Sequence, residues 1–271
     1  VLVMVFFAWF ILPFYLKSNI FTIPEFLEKR FNVASRYYFS AVTIIVNIFL
    51  DAAGSLYAAA MVMNLVFPET SVLTLSIVFA IVVAIYTIPG GLSAAIRVDL
   101  MQGIFLLVGS IVLTIYATNS GGADYVKQLL SEGDILMKLV RPMDDSSVPW
   151  LGMIVGIPIL GMFFWGNNQQ LVQRVLTAKT VDEGRKGVLL VGFLTVLTLF
   201  LIIIPGIMAI KLFPSLPKPD MVYPTLIMEL MPNILIGFMI AAMVAALTSS
   251  LSGLLNSVAT LFTMDFYAKI K

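Results

Sequence analysis

The 271-residue sequence has no cysteine and no histidine, and only 11% of its residues are charged. The first absence removes disulfides, thiol nucleophiles and Cys-ligated metals, and the second removes the commonest general base and zinc ligand. No paired-carboxylate arrangement takes their place, so the chain is not equipped as an enzyme. Charge this sparse, against about 25% in ordinary soluble domains, joins 60% hydrophobic residues and a positive mean hydropathy. That combination excludes a soluble domain and describes a polytopic membrane protein. A net charge of +1 leaves no footprint for a nucleic-acid partner. An initiating methionine and a charged leader are also missing before VLVMVFFAWF, and Lys271 follows directly on an apolar run. The chain therefore reads as an internal fragment of a multi-pass protein of the cell membrane, either a bacterial inner membrane or a eukaryotic plasma membrane.

The apolar runs predict an all-α membrane helix bundle forming a single transmembrane domain over 1–271. The spans fall at about 1–16, 37–67, 71–88, 92–118, 150–176, 188–210 and 234–262. After the first span, Thr22 precedes Glu25 by three residues, the pattern of a helix N-cap. A short amphipathic interfacial helix is expected over 24–31. Pro89, Gly90 and Gly91 predict a sharp turn between the third and fourth spans. The only long polar segment, 119–149, is acidic on balance and has the periodicity of short surface helices. Pro214, Pro217, Pro219, Pro224 and Pro232 punctuate the connection before the last span. Lys17, Lys29, Arg30, Arg36, Arg97, Arg174, Lys179, Arg185, Lys186, Lys269 and Lys271 fall in alternate loops and at the C-terminal end. The other loops hold only Lys127, Lys138, Arg141, Lys211 and Lys218. The richer set marks the cytoplasmic side, which places Val1 and segment 119–149 outside.

The last span organises the chain. Its stretch AAMVAALTSSLSGLLNSVATLFTMDFY (241–267) is long enough to cross a bilayer but carries too many hydroxyls for a lipid-facing helix. At 100° per residue, Ala246, Ser249 and Ser250 share a face, and Ser249, Ser252, Asn256 and Thr260 continue a neighbouring stripe. Two readings fit. Small and hydroxylated residues gather where membrane helices pack closely, with hydroxyls bonded back to carbonyls one turn earlier. Alternatively, adjacent hydroxyls and an available carbonyl form part of an oxygen shell for a small hard cation.

The fifth span is weakened by Gly152, Gly156, Pro158, Gly161 and Gly166, then runs into FFWGNNQQ. The rings of Phe163, Phe164 and Trp165 beside the amides of Asn167, Asn168, Gln169 and Gln170 suit a polar organic ligand. An interfacial Trp anchor with amides bonding neighbouring helices is the competing reading. Asp51 and Asp99 are acids within spans, where an acid is costly unless paired or solvated, so a functional role is the default. For Asp99 a local ion pair with Arg97 is the rival.

Three runs carry a resemblance: YTIPGGLSAAIRVDLMQG (86–103), FFWGNNQQLVQRVLTAK (163–179) and SSLSGLLNSVATLFTMDFY (249–267). Together, and in this order, they resemble the sodium/solute symporter family, most of all its sodium/glucose cotransporter-like branch. The resemblance implies a leucine-transporter-like fold of two inverted five-helix repeats, of which this chain supplies core helices two to eight. It implies a sodium site whose eighth-helix share is the Ala246 carbonyl with the Ser249 and Ser250 hydroxyls. Asp99 and Ser252 match positions that hold a second sodium, or serve ion release, in some relatives, although Gly253 stands where those relatives have a hydroxyl. On the substrate side it implies Phe164, in place of a gating Tyr, together with Trp165 and Gln169. Gly161 and Thr195 replace polar side chains that reach the sugar, and Asp51 matches an acid of sugar-transporting members. The expected function is sodium-coupled import of a small polar solute, most plainly a sugar or polyol. Sodium is the coupling ion, no cofactor is needed, and the partners are the solute, sodium and the lipid bilayer.

Overall fold

The computed structural model describes residues 1–216 and 219–270, and the described residues form helices with no strand. Pro217, Lys218 and Lys271, counted above among the loop prolines and basic residues, lie outside the described residues. In chain order the helices are α1 (Leu2–Lys17), α2 (Ile23–Arg30), α3 (Val33–Asn64), α4 (Val72–Ser93), α5 (Ala95–Glu132), α6 (Gly152–Asn167), α7 (Gln169–Leu176), α8 (Val181–Leu212), α9 (Val222–Leu230) and α10 (Asn233–Ile270). Of these, α3, α4, α5, α8 and α10 are long and apolar enough to cross a membrane, while α1 and α6 are shorter apolar helices. Helices suit this composition because they satisfy every backbone polar group within the segment, which lipid cannot do. Their outer faces are apolar. On α4, Ile77, Ile81, Ile85 and Ile88 make one outward stripe, exposed by 52%, 55%, 67% and 82%.

Prolines accompany three of the irregularities. Helices α1, α6 and α8 each contain a widened π-turn, at Phe7–Ile11, Gly152–Gly156 and Leu199–Ile203, and Pro13, Pro158 and Pro205 follow directly after. A proline ring lacks the N–H and collides with a carbonyl of the preceding turn, and the wider turn accommodates both defects. The turn expected at 89–91 is tighter than a loop. Helix α4 passes into α5 with only Gly91 non-helical, at φ 57° and ψ −166°, a conformation that suits glycine because it has no Cβ. The fifth expected span, 150–176, is broken in two. Asn168 is extended between α6 and α7, and its side chain accepts from the N–H groups of Gln170 (3.0 Å) and Leu171 (3.4 Å).

Segment 119–149 begins where α5 turns at Gly121, at φ 93°, before its terminal part Ala123–Glu132. A short turn, Ile135–Met137, follows with Asp134 as its cap. Farther on, the N–H groups of Val148 (2.9 Å) and Ser147 (2.8 Å) hold the Asp145 carboxyl below the usual carboxylate range.

Two apolar clusters hold the bundle. One joins α1, α2, α7 and α8 through Met4, Phe7, Leu12, Ile23, Val172 and Val188. The other joins α5, α8, α9 and α10 through Leu113, Ala209, Leu226, Ile227 and Met239. Inside a bilayer such packing acts through dispersion rather than water exclusion, so close fit decides it. Helix α10 runs against α3, α4 and α5, which brings its polar stripe onto their inner faces.

Candidate functional site

The hydroxyl stripe of α10 divides among several partners. Thr248 donates to the carbonyls of Val244 (3.0 Å) and Ala245 (2.9 Å), as a hydroxyl in a helix does when no other acceptor is offered. Ser250 donates to the Ala246 carbonyl at 3.2 Å, so two of the expected cation ligands touch each other. Ser252 is fully buried and accepts from Thr87 on α4 at 2.9 Å, while Asp99, its expected companion, is bonded to other residues. Ser249 differs from its neighbours: it donates across to the Asp99 carboxylate on α5.

Asp99 is also ion-paired, though not with Arg97. Residues two apart on a helix point to different sides, and Arg97 is exposed. The partner is Arg174 on α7, whose Nη2 lies 2.6 Å from Asp99 Oδ2. The approach depends on Gly253, because a Cβ there would fall 2.7 Å from Arg174 Nη2 and 2.7 Å from Gln170 Nε2. Gln170 uses that room to donate to the Ser250 carbonyl at 3.2 Å. Asp99 further borders a cavity of about 360 Å³ between α5 and α8, walled by Leu106, Leu194 and Leu201. Gathered here are one carboxylate, two hydroxyls and a carbonyl, all hard oxygen donors suited to an alkali or alkaline-earth cation. Among the described residues no group of three or more His, Cys, Asp or Glu side chains could hold a metal ion.

The residues expected to face solute are dispersed. Phe164 is 47% exposed, with its ring edge-on to Trp165 at 5.5 Å, and Trp165 packs against the α1 cluster. Gly161 sits where α6 meets α1, and a Cβ there would be 3.2 Å from Val3 Cγ2. Asn168 spends its side-chain oxygen capping α7. Gln169 is 1% exposed; its Oε1 accepts from the Ile23 N–H at 2.9 Å and its Nε2 donates to the Phe21 carbonyl at 3.2 Å. Thr195 is exposed and donates within its own helix to Val191 at 2.8 Å. Asp51 is exposed within the π-turn Asn47–Ala52 of α3. A cavity of about 740 Å³ beside the loops after α1 and α7 is lined by Tyr15, Lys17, Gln173, Lys179 and Thr260 among others, and by none of these seven.

A second polar cluster lies where α2, α3 and the end of α10 meet. Asp265, fully buried in the π-turn Phe262–Tyr267, accepts from Thr22 (2.7 Å), Ser40 (2.5 Å) and Arg36 Nε (2.8 Å). Arg36 also donates to the Met264 carbonyl at 2.9 Å and pairs with Glu28, which Lys269 reaches at 2.8 Å. Thr22 therefore serves twice, since its oxygen also accepts from the Glu25 N–H at 3.2 Å as the helix cap. Lys269 first and Arg36 second hold the Glu28 carboxyl below its ordinary range. Arg174 and Asp265 took no part in the sequence-based site. The signal was present for both, since an acid inside an apolar helix requires a counter-charge somewhere.

The sodium:solute symporter family model matches residues 1–271. The chain is 34% identical to sodium/glucose cotransporter 1 of Mus musculus, covering 97% of this chain and 45% of that protein. It is 32% identical to a sodium/mannose cotransporter of Bos taurus, covering 97% and 50%. It thus spans about half the length of the curated relatives it matches. A solved sodium-coupled sialic acid symporter, in a substrate-bound outward-open state, superimposes with a TM-score of 0.85 over 99% of this chain and 60% of that one, at 23% identity. The fold is accordingly an all-α membrane bundle of the leucine-transporter-like kind. This chain, with its spans, its inner oxygen cluster and its full-length match, belongs to the sodium:solute symporter family and is a multi-pass membrane protein.

Proposed function

We propose that the protein is a sodium-coupled symporter that imports a small polar organic solute, a sugar or sugar-like polyol, by alternating access. The observation that carries this reading is the Asp99–Ser249 contact between α5 and α10, with the Ala246 carbonyl one turn before Ser249 and the Ser250 hydroxyl on the next residue. Sodium is the coupling ion, taken up by the Ala246 carbonyl and the Ser249 and Ser250 hydroxyls. Solute binds near the midplane against Phe164 and Trp165, and rocking of the bundle releases both to the cytoplasm. The relatives that are named sodium/glucose and sodium/mannose cotransporters support the choice of a sugar. No chemical transformation is involved. Each sodium contributes about 2.3 kcal/mol per 100 mV of membrane potential, and a tenfold gradient adds about 1.4 kcal/mol. One ion can therefore concentrate a neutral solute several-hundred-fold.

Gly161 and Thr195 offer no free side-chain donor to a sugar hydroxyl or to a carboxylate: one has no side chain and the hydroxyl of the other donates to Val191. The test is uptake of labelled sugars, polyols and carboxylates into vesicles carrying the full-length protein, with sodium exchanged for potassium. Saturable uptake that requires sodium is expected. Uptake equal in the two salts would point to a sodium-independent channel or facilitator and overturn the proposal.

A further inference from the structure

We infer that the Arg174 guanidinium and a sodium ion are alternative occupants of the Asp99 carboxylate, and that Gly253 is the residue that admits the guanidinium. The inference rests on the symport reading and concerns how many ions the protein holds and when. Asp99 brings one negative charge to an apolar setting. Arg174 neutralises it, and a second cation beside the same carboxylate would leave an uncompensated positive charge within the membrane, which is strongly disfavoured.

The guanidinium is also poorly held. Its contact with Asp99 is through Nη2, while Nε is buried with no hydrogen-bond partner, so the two-pronged fork that arginine offers a carboxylate is not formed. Gln102 lies one turn along α5 from Asp99, and its buried Oε1 likewise has no partner. A cation seated at Asp99 would find that amide oxygen, the Ser249 hydroxyl and the carboxylate as ligands, none of which arginine fully satisfies. Gln102 is thus an additional ligand of the exchanged ion. Gly253 decides the balance by sterics. A side chain there meets the tips of Arg174 and Gln170 at 2.7 Å, and both tips are flexible enough to be expelled.

The test is equilibrium binding of radiolabelled sodium to the purified full-length protein in lipid nanodiscs, at constant ionic strength with choline as the replacement cation. Arg174→Gln is expected to lower the half-saturating sodium concentration about fivefold or more, or to add one bound ion per protein. Gly253→Ala, which adds the obstructing Cβ but no hydroxyl ligand, should shift binding in the same direction. Arg174→Lys, which keeps the charge, should bind sodium close to the unmodified protein, and Arg97→Gln should leave binding unchanged. Unchanged stoichiometry and half-saturation in a folded Arg174→Gln protein overturns the inference. Should that variant fail to fold, an unaltered sodium isotherm for Gly253→Ala overturns it equally. No saturable sodium binding in the unmodified protein or in any variant would sink the symport reading as well. Saturable binding that none of the variants alters sinks this inference alone.

Discussion

Replacing Asp265 by alanine exposes what the buried cluster at the end of α10 contributes. The carboxylate is fully buried and accepts from Thr22, Ser40 and Arg36, so its loss strips two hydroxyls of their acceptor and removes one counter-charge from a guanidinium that is 4% exposed. Breaking a buried ion pair on one side costs about 3–5 kcal/mol. Glu28 still faces Arg36, so the lower figure, about 3 kcal/mol, applies here. In a domain of about 150–250 residues that would be a fall in Tm of roughly 6–12 °C, and the longer full-length protein should show the lower end of that range. The measurement is thermal unfolding of the full-length protein in one detergent, followed by intrinsic fluorescence. Removing both members, as Asp265→Leu with Arg36→Met, should recover more than half of the loss, because the cost lies in the orphaned charge rather than in the missing attraction. A single variant within about 2 °C of the unmodified protein, or a double variant as unstable as the single one, would refute the assignment of Asp265 as a structural counter-ion.

Gln169→Leu removes the two hydrogen bonds that tie the start of α2 to α7, and should raise backbone hydrogen exchange around Phe21–Ile23 while leaving exchange in α9 unchanged. Gly122→Ala would place a Cβ 2.6 Å from the Ala117 carbonyl oxygen and 2.8 Å from Met208, and backbone cannot yield as a side-chain tip can. A loss of about 2 kcal/mol is expected, and unchanged unfolding would contradict the packing described. Glu28 titrates below its ordinary value of 4.5 when folded, so its contribution is complete above that pH and is lost as pH falls through the lower folded value. Acid unfolding profiles of the unmodified protein and Glu28→Gln should therefore differ above that window and converge below it.

What the sequence disclosed follows the range of the forces involved. Thr22 as the cap of α2 was legible because Glu25 is three residues away, whereas its second bond to Asp265 spans 243 residues and has no local pattern. The long apolar helices were legible as apolar runs, but the break at Asn168 was hidden because the apolar run continues through Leu171, Val172 and Val175 on the other side of the cap. The hydroxyl stripe could be found but not divided. Ser250 and Thr260 do bond back one turn, as close-packed membrane helices allow, while Ser249 donates to Asp99 on α5 and Ser252 accepts from Thr87 on α4. Arg174 stood in the sequence as one basic residue among a cytoplasmic set. Only the fold places it against an acid 75 positions away.

The two polar clusters share their supports, which makes their independence a testable matter. Helix α7 holds α2 through Gln169 and α5 through Arg174, and α10 carries Ser249 at one cluster and Asp265 at the other, about 24 Å apart along its axis. Sodium that displaced Arg174 would free one end of α7 while Gln169 still anchored the other, so on the inference above ion binding would work against the docking of α2. Coupling of this kind is reciprocal. Weakening the Gln169 contact should then ease the departure of Arg174 and tighten sodium binding, without any change to the ion's own ligands. In a double-mutant cycle, Gln169→Leu should lower the half-saturating sodium concentration when Arg174 is present and have no effect in the Arg174→Gln background. Equal effects in both backgrounds would mean that the two ends of α7 act separately, and that the position of α2 has no part in admitting the ion.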